Sequence, residues 1–156
     1  MAKWLTQDEA LQKMQRYCAY QERCHQEVRS KLLELEVYGD RLEAVMVALI
    51  EEGFLNEERF ARAFARGKFR LKQWGRLRIT RELKARQVTD YCIRKALEEI
   101  DENAYRAALE EVLRKKLPPA PAPEELYAHK QKAVRYALSR GYETELAWSV
   151  LQELLK

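Results

Sequence analysis

Apolar residues recur at three- and four-residue intervals along almost all of this 156-residue chain, and no segment sustains the period-two alternation of a strand. Leu11, Met14 and Cys18 mark the first stripe, and Val28, Leu32 and Leu35 the second. Leu42, Val45, Met46, Leu49 and Ile50 mark a third, followed by Phe60, Phe64 and Leu71, then Ile79 with Leu83, then Ile93, Ala96, Leu97 and Ile100. The last three centre on Leu109, Val134 and Val150. The fold class this predicts is all-α.

The nine stripes fall into three sets of three, which predicts an internal repeat. Leu5-Thr6, Leu55-Asn56 and Ile100-Asp101 each put an apolar residue before a good helix N-cap. Four residues beyond each cap stands an inward candidate: Ala10, Phe60 and Tyr105. Thr6-Gln7-Asp8-Glu9 adds a capping box. In each unit the second helix then runs into a short turn: Val37-Tyr38-Gly39, Gln87-Val88-Thr89 and Gly141-Tyr142-Glu143. Gly39 and Gly141 are the expected left-handed positions. The boundaries that follow are residues 1–54, 55–100 and 101–156, the third unit interrupted by a Pro-rich loop at 117–123. Units with apolar faces too small to bury alone should stack into an elongated, curved array. Its concave side would suit an extended partner.

Composition narrows the function. No stretch approaches the roughly 20 consecutive apolar residues of a membrane span, and MAKWLTQDEA lacks the apolar core of a secretory signal. Cys18, Cys24 and Cys92 form no CxxC pair, which fits reduced thiols in a cytoplasmic protein. Cys24-His25 with Cys18 does not match zinc-ligand spacing. There is no phosphate-cradling glycine loop and no nucleophile elbow. The acidic pairs Glu51-Glu52, Glu98-Glu99 and Glu124-Glu125 are expected to be solvated. A non-enzymatic monomer with no cofactor is therefore expected.

Charge points to a partner. From Arg59 to Arg86 the chain carries eleven Lys/Arg and one acid, Glu82, whereas residues 1–55 hold seven bases against ten acids. Such an isolated basic stretch, interleaved with Phe60, Phe64, Phe69 and Trp74, suits a polyanion, nucleic acid first. Arg59, Arg62, Arg66 and Arg70 should share one helix side, and Arg78, Arg81 and Lys84 recur by three on the next helix. Lys68, Lys72, Arg76 and Arg86 complete the charge. This spacing fits phosphate contact along a strand, without base reading. Trp74 would stack a base or cover a core corner. Gly75 would let a backbone or a phosphate approach closely. The alternative is a stand-alone nucleic-acid-binding or transcription factor, with a helix-turn-helix over residues 76–99.

Three segments resemble the RecX family of bacterial regulatory proteins. EGFLNEERFA, Glu52 to Ala61, resembles that family's "GLLDDERFA" run, and GRLRITRELK, Gly75 to Lys84, resembles its "G..RI..EL" run. The run ERCHQEVRSKL around Arg23 resembles its "R..S..EL..KL" opening. The likeness covers roughly residues 17–100 and is weaker beyond. Gln87 stands where the family commonly has Gly, which puts a left-handed turn there in question. The Pro-rich insertion also departs from the pattern. The resemblance implies an array of three-helix repeats without catalytic residues. It implies a protein that binds the RecA-type recombinase filament on single-stranded DNA and suppresses its growth, ATP hydrolysis and strand exchange.

Overall fold

A computed structural model describes residues 4–156, and every regular element among them is helical. In chain order these are α1 (Gln7–Tyr20), α2 (His25–Glu34), α3 (Gly39–Glu51), α4 (Glu57–Lys72), α5 (Arg76–Ala85), α6 (Asp90–Leu97), α7 (Glu102–Arg114), α8 (Leu126–Ser139) and α9 (Thr144–Leu154). One 3-10 turn, Pro123–Glu125, leads from the Pro-rich loop into α8. Residues 1–3 of the expected first repeat lie outside the described residues.

The helix starts follow the expected caps. Thr6 Oγ1 accepts from the Glu9 amide at 3.1 Å while Glu9 accepts from the Thr6 amide at 3.1 Å, a reciprocal capping box. Asn56 Oδ1 accepts from the Arg59 amide at 2.9 Å, and Asp101 from the Ala104 amide at 3.0 Å. Each side chain satisfies an amide that the first helical turn leaves without a partner.

The turns after α2, α5 and α8 are one motif repeated. Val37, Val88 and Tyr142 donate amides to the carbonyls of Leu32, Leu83 and Ala137, and Glu36, Gln87 and Gly141 donate to Leu33, Lys84 and Leu138. This is the Schellman pattern, and its left-handed residue is Glu36 (φ 61°), Gln87 (φ 61°) or Gly141 (φ 101°). The expectation for Gly39 therefore needs correction. Gly39 has φ 58°, but it opens α3, three residues past the true turn position. Gln87 takes the left-handed turn despite its Cβ, and the motif's two hydrogen bonds and buried Val88 hold it there.

The chain divides into two compact units. One comprises Met1–Ala63 with Leu83–Lys95, the other Phe64–Glu82 with Ala96–Lys156. In the first, Ala10, Met14 and Cys18 of α1 pack with Val28, Leu32 and Val37 and with Leu42, Val45, Met46 and Leu49 of α3. In the second, Tyr105, Leu109, Val112 and Leu113 of α7 pack with Ala133, Val134 and Ala137 of α8 and with Ala147, Val150 and Leu151 of α9. Two expected core residues are outside. Leu71 is 83 % exposed and Ile50 is 45 % exposed. Each stands in the last turn of its helix, α3 ending at Glu51 and α4 at Lys72. On α4 the buried positions are Phe60, Ala61 and Ala65, and Phe64 is half-buried.

Candidate nucleic-acid interface

The basic stretch occupies α4, the joint 73–75 and α5. Eight of its candidate residues, Arg66, Lys68, Arg70, Lys72, Trp74, Arg76, Arg78 and Arg81, belong to the second unit, and Arg62, Lys84 and Arg86 to the first.

Backbone contact builds the joint. The Gly75 amide donates to the Arg140 carbonyl at 2.8 Å, and the Leu77 amide to the Gly141 carbonyl at 2.9 Å. The Tyr142 hydroxyl donates to the Gln73 carbonyl at 2.9 Å, and the Arg140 guanidinium donates to the Lys72 carbonyl at the open end of α4. A Cβ on Gly75 would meet the Gly141 carbonyl and the Tyr142 nitrogen within 2.5 Å. Of the two approaches expected at Gly75, the one present is a backbone. Arg140, Gly141 and Tyr142 read in sequence only as part of a repeat turn. No local signal marks them as the clamp on a joint almost seventy residues earlier.

Arg76 is drawn inward at this joint. Its Cζ lies 3.9 Å from the centre of the Tyr105 ring, and its side chain pairs with Glu102 at 3.1 Å and Glu143 at 3.2 Å. Its Nε makes the Glu143 approach without hydrogen-bond geometry, so that contact is an ion pair alone. Burial works against the Arg76 charge, but the Tyr105 hydroxyl and the Glu143 carboxylate outweigh it and hold the guanidinium more firmly protonated. Tyr105 accepts from the Arg76 amide at 2.9 Å and donates to Glu143. Burial, then the Glu143 contact, push the Tyr105 hydroxyl above its ordinary range.

Trp74 is half-buried. Its ring meets Phe64 edge to face at 6.2 Å, and both Lys68 Nζ (5.1 Å) and Arg78 Cζ (4.3 Å) lie over it. It thus acts as a base plate that holds two cations in place. Phe69 joins the core beside Tyr105, ring centres 6.0 Å apart.

The remaining cations divide by partner. Arg62 pairs with Glu58 at 3.0 Å and Arg66 with Glu99 at 3.3 Å. Glu99, expected to be merely solvated, is therefore engaged. Arg59, on the same helix, pairs with Glu22 and donates to the carbonyls of Gly53 and Phe54. Arg70, Lys72, Arg81 and Lys84 are exposed and have no carboxylate partner among the described residues. Cations of that kind attract an anion without first giving up a partner. Chemically the stretch offers ammonium and guanidinium donors to phosphate or carboxylate oxygens. His25 pairs with Glu57 at 3.0 Å, and among the described residues no group of three His, Cys, Asp or Glu is placed to hold a metal ion.

Comparison with known proteins agrees over most of the chain. The family profile described as "RecX, second three-helix domain" matches residues 56–97, and that described as "RecX, third three-helix domain" matches 104–151. The protein named "Regulatory protein RecX" from Prosthecochloris aestuarii is 30% identical over 142 residues, 89% of this chain and 89% of that one. The protein of the same name from Lactobacillus gasseri is 31% identical over 145 residues. That match takes in 93% of this chain, which spans about half, 53%, of the relative's length. The crystal structure of RecX from Lactobacillus salivarius superposes with a TM-score of 0.82, covering 95% of this chain and 96% of that one. At 19% identity this last likeness speaks for the fold.

Proposed function

The chain belongs to the RecX family of regulatory proteins, and from that membership we propose that it regulates a RecA-type recombinase without catalysis of its own. It binds the recombinase filament on single-stranded DNA and inhibits filament growth, ATP hydrolysis and strand exchange. The three repeats, 1–54, 55–100 and 101–156, lie along the filament, and the middle one supplies the basic contact.

The observation that carries this reading is the set of exposed cations without a carboxylate partner among the described residues, Arg70, Lys72, Arg81 and Lys84, in a stretch of eleven bases and one acid. Unpaired point charges spread over two helices follow a phosphate backbone and select no base sequence. If these four each meet a phosphate, log affinity for a single strand falls with log salt at a slope of about −2.8.

The test adds the purified chain to a RecA-type recombinase on single-stranded DNA and measures ATP hydrolysis. The parent slows hydrolysis. The Arg70→Glu/Lys72→Glu/Arg81→Glu variant folds normally, because exposed substitutions usually cost within about 0.5 kcal/mol each, and it slows hydrolysis far less. A parent without effect on the recombinase refutes the function. A folded triple variant as inhibitory as the parent removes the basic stretch from it.

A further inference from the structure

We propose that the groove between α1 and α2 in the first unit is a second contact for single-stranded nucleic acid, seating one unstacked base on Tyr20 and the adjoining phosphates on Lys13 and Arg16. The groove is open to solvent and has room for about 470 Å³, a volume within the range of sites that hold small molecules. Its polar wall is Lys13, Arg16, Tyr17, Tyr20, Arg23 and Lys31, four cations and two aromatic rings with no carboxylate. Met14 and Leu35 contribute apolar surface. This is an unexpected place for such a wall, since residues 1–55 carry ten acids against seven bases. The charges are segregated.

The groove has a fixed part and a free part. Arg23 is held: its Cζ lies 3.7 Å from the centre of the Tyr17 ring, its Nε donates to the Tyr17 carbonyl at 3.1 Å, and it stands 3.7 Å from Glu27. Lys31 pairs with Glu34 at 3.3 Å and sits 6.0 Å from the same ring. Lys13 and Arg16 are exposed and have no carboxylate partner among the described residues. Tyr20 is 82 % exposed. Lys13, Arg16 and Tyr20 stand at positions i, i+3 and i+7 of α1, so they share one face over about 10 Å. Free cations in line with an exposed aromatic ring are the elements with which single strands are held without sequence preference. An acidic peptide would use the cations but leave the ring without a role. The site shares with the proposed function only the presence of a single strand.

The test uses the full chain and a fluorescein-labelled oligo(dT), with an iododeoxyuridine-substituted copy for photocrosslinking. The expected crosslink maps to Tyr20. Tyr20→Ala weakens binding about tenfold, as loss of one stacked base does, and Tyr20→Phe retains it. Lys13→Gln/Arg16→Gln lowers the salt slope by about 1.4, two single-strand contacts. Circular dichroism checks that every variant is folded. Crosslinks confined to 64–86, or an unchanged slope in the folded double variant, overturn the site. So does competition by polyglutamate in a chain whose oligo(dT) affinity ignores Tyr20→Ala and Lys13→Gln/Arg16→Gln alike. The Arg70→Glu/Lys72→Glu/Arg81→Glu variant separates the two readings. A Tyr20 crosslink that persists while the parent leaves the recombinase unaffected supports the groove and refutes only the filament function.

Discussion

Gly75→Ala should be among the most damaging single-methyl additions available in this chain. The new Cβ meets the Gly141 carbonyl and the Tyr142 nitrogen within 2.5 Å, whereas carbon contacts settle near 3.5–4.0 Å. The obstacle is backbone, so no side chain can swing aside. Relief requires the 140–142 turn to retreat by about 1 Å. The Gly75 to Arg140 and Leu77 to Gly141 hydrogen bonds, 2.8 and 2.9 Å long, do not survive that movement. Overpacking costs about 1–3 kcal/mol, and two lost hydrogen bonds about 1 kcal/mol each. Stiffening the unfolded chain returns about 0.4–1 kcal/mol. The net is about 3 kcal/mol, a large part of the roughly 5–15 kcal/mol that holds a domain folded. For a chain of this size the melting temperature falls by about 6–12 °C.

Urea unfolding followed by helical circular dichroism measures this directly, and Gly67→Ala is the control. Gly67 lies inside α4, where an added Cβ would have nothing within 4 Å, and its φ is not positive. The same methyl there should stabilise by about 0.5–1 kcal/mol, because glycine is a poor helix former. A Gly75→Ala protein within 1 kcal/mol of the parent would refute the close-packed joint. So would equal destabilisation at both glycines.

The tyrosines report the same joint through pH. Burial raises the hydroxyl pKa of Tyr105 and Tyr142 above the ordinary value of 10.0. Their contribution to stability is therefore complete below about pH 10 and is lost as pH rises through the folded-state values. An ultraviolet titration should show these two of the eight tyrosines ionising only with unfolding; eight ionising together in the folded chain would contradict it. Burial also raises the Cys18 thiol and pushes Cys24 up to about 11. At pH 8 a thiol reagent should label Cys92 first and reach Cys18 and Cys24 only in denaturant, a pattern that mass spectrometry reads directly. Asn56→Ala should cost about 1 kcal/mol by removing the α4 cap, measured by the same urea titration.

The fold was legible where its determinants are local. Thr6, Asn56 and Asp101 cap because a short polar side chain can reach amides three residues on, and that chemistry is visible in four consecutive letters. The turns were legible only in part. Glycine marks the left-handed residue at Gly141, but after α2 it is Glu36 that fills the position. The Schellman hydrogen bonds and a buried following residue, Val37 or Val88, fix the turn even when a Cβ opposes it. Leu71 fits the helical period, yet the chain turns at Gln73 before that last position can be covered.

The candidate interface was legible as composition and illegible as partnership. Eleven bases counted along a line look equivalent, and one of their acidic partners, Glu58 to Arg62, lies within a helical turn and could be foreseen. Others come from distant parts of the chain: Glu22 to Arg59, Glu99 to Arg66, and Glu102 with Glu143 to Arg76. Arg76 consequently serves the joint, and its replacement should disturb folding before it disturbs any partner. The same averaging hid the α1–α2 groove. A run of 55 residues with more acids than bases gives no hint that Lys13, Arg16, Arg23 and Lys31 share one wall. Placing Lys13, Arg16 and Tyr20 on one face needed only the period of α1; adding Arg23 and Lys31 needed the fold that brings α2 beside it. Net charge over a segment therefore bounds long-range attraction. Which oxygen a given cation can meet is decided by the carboxylates that reach it first.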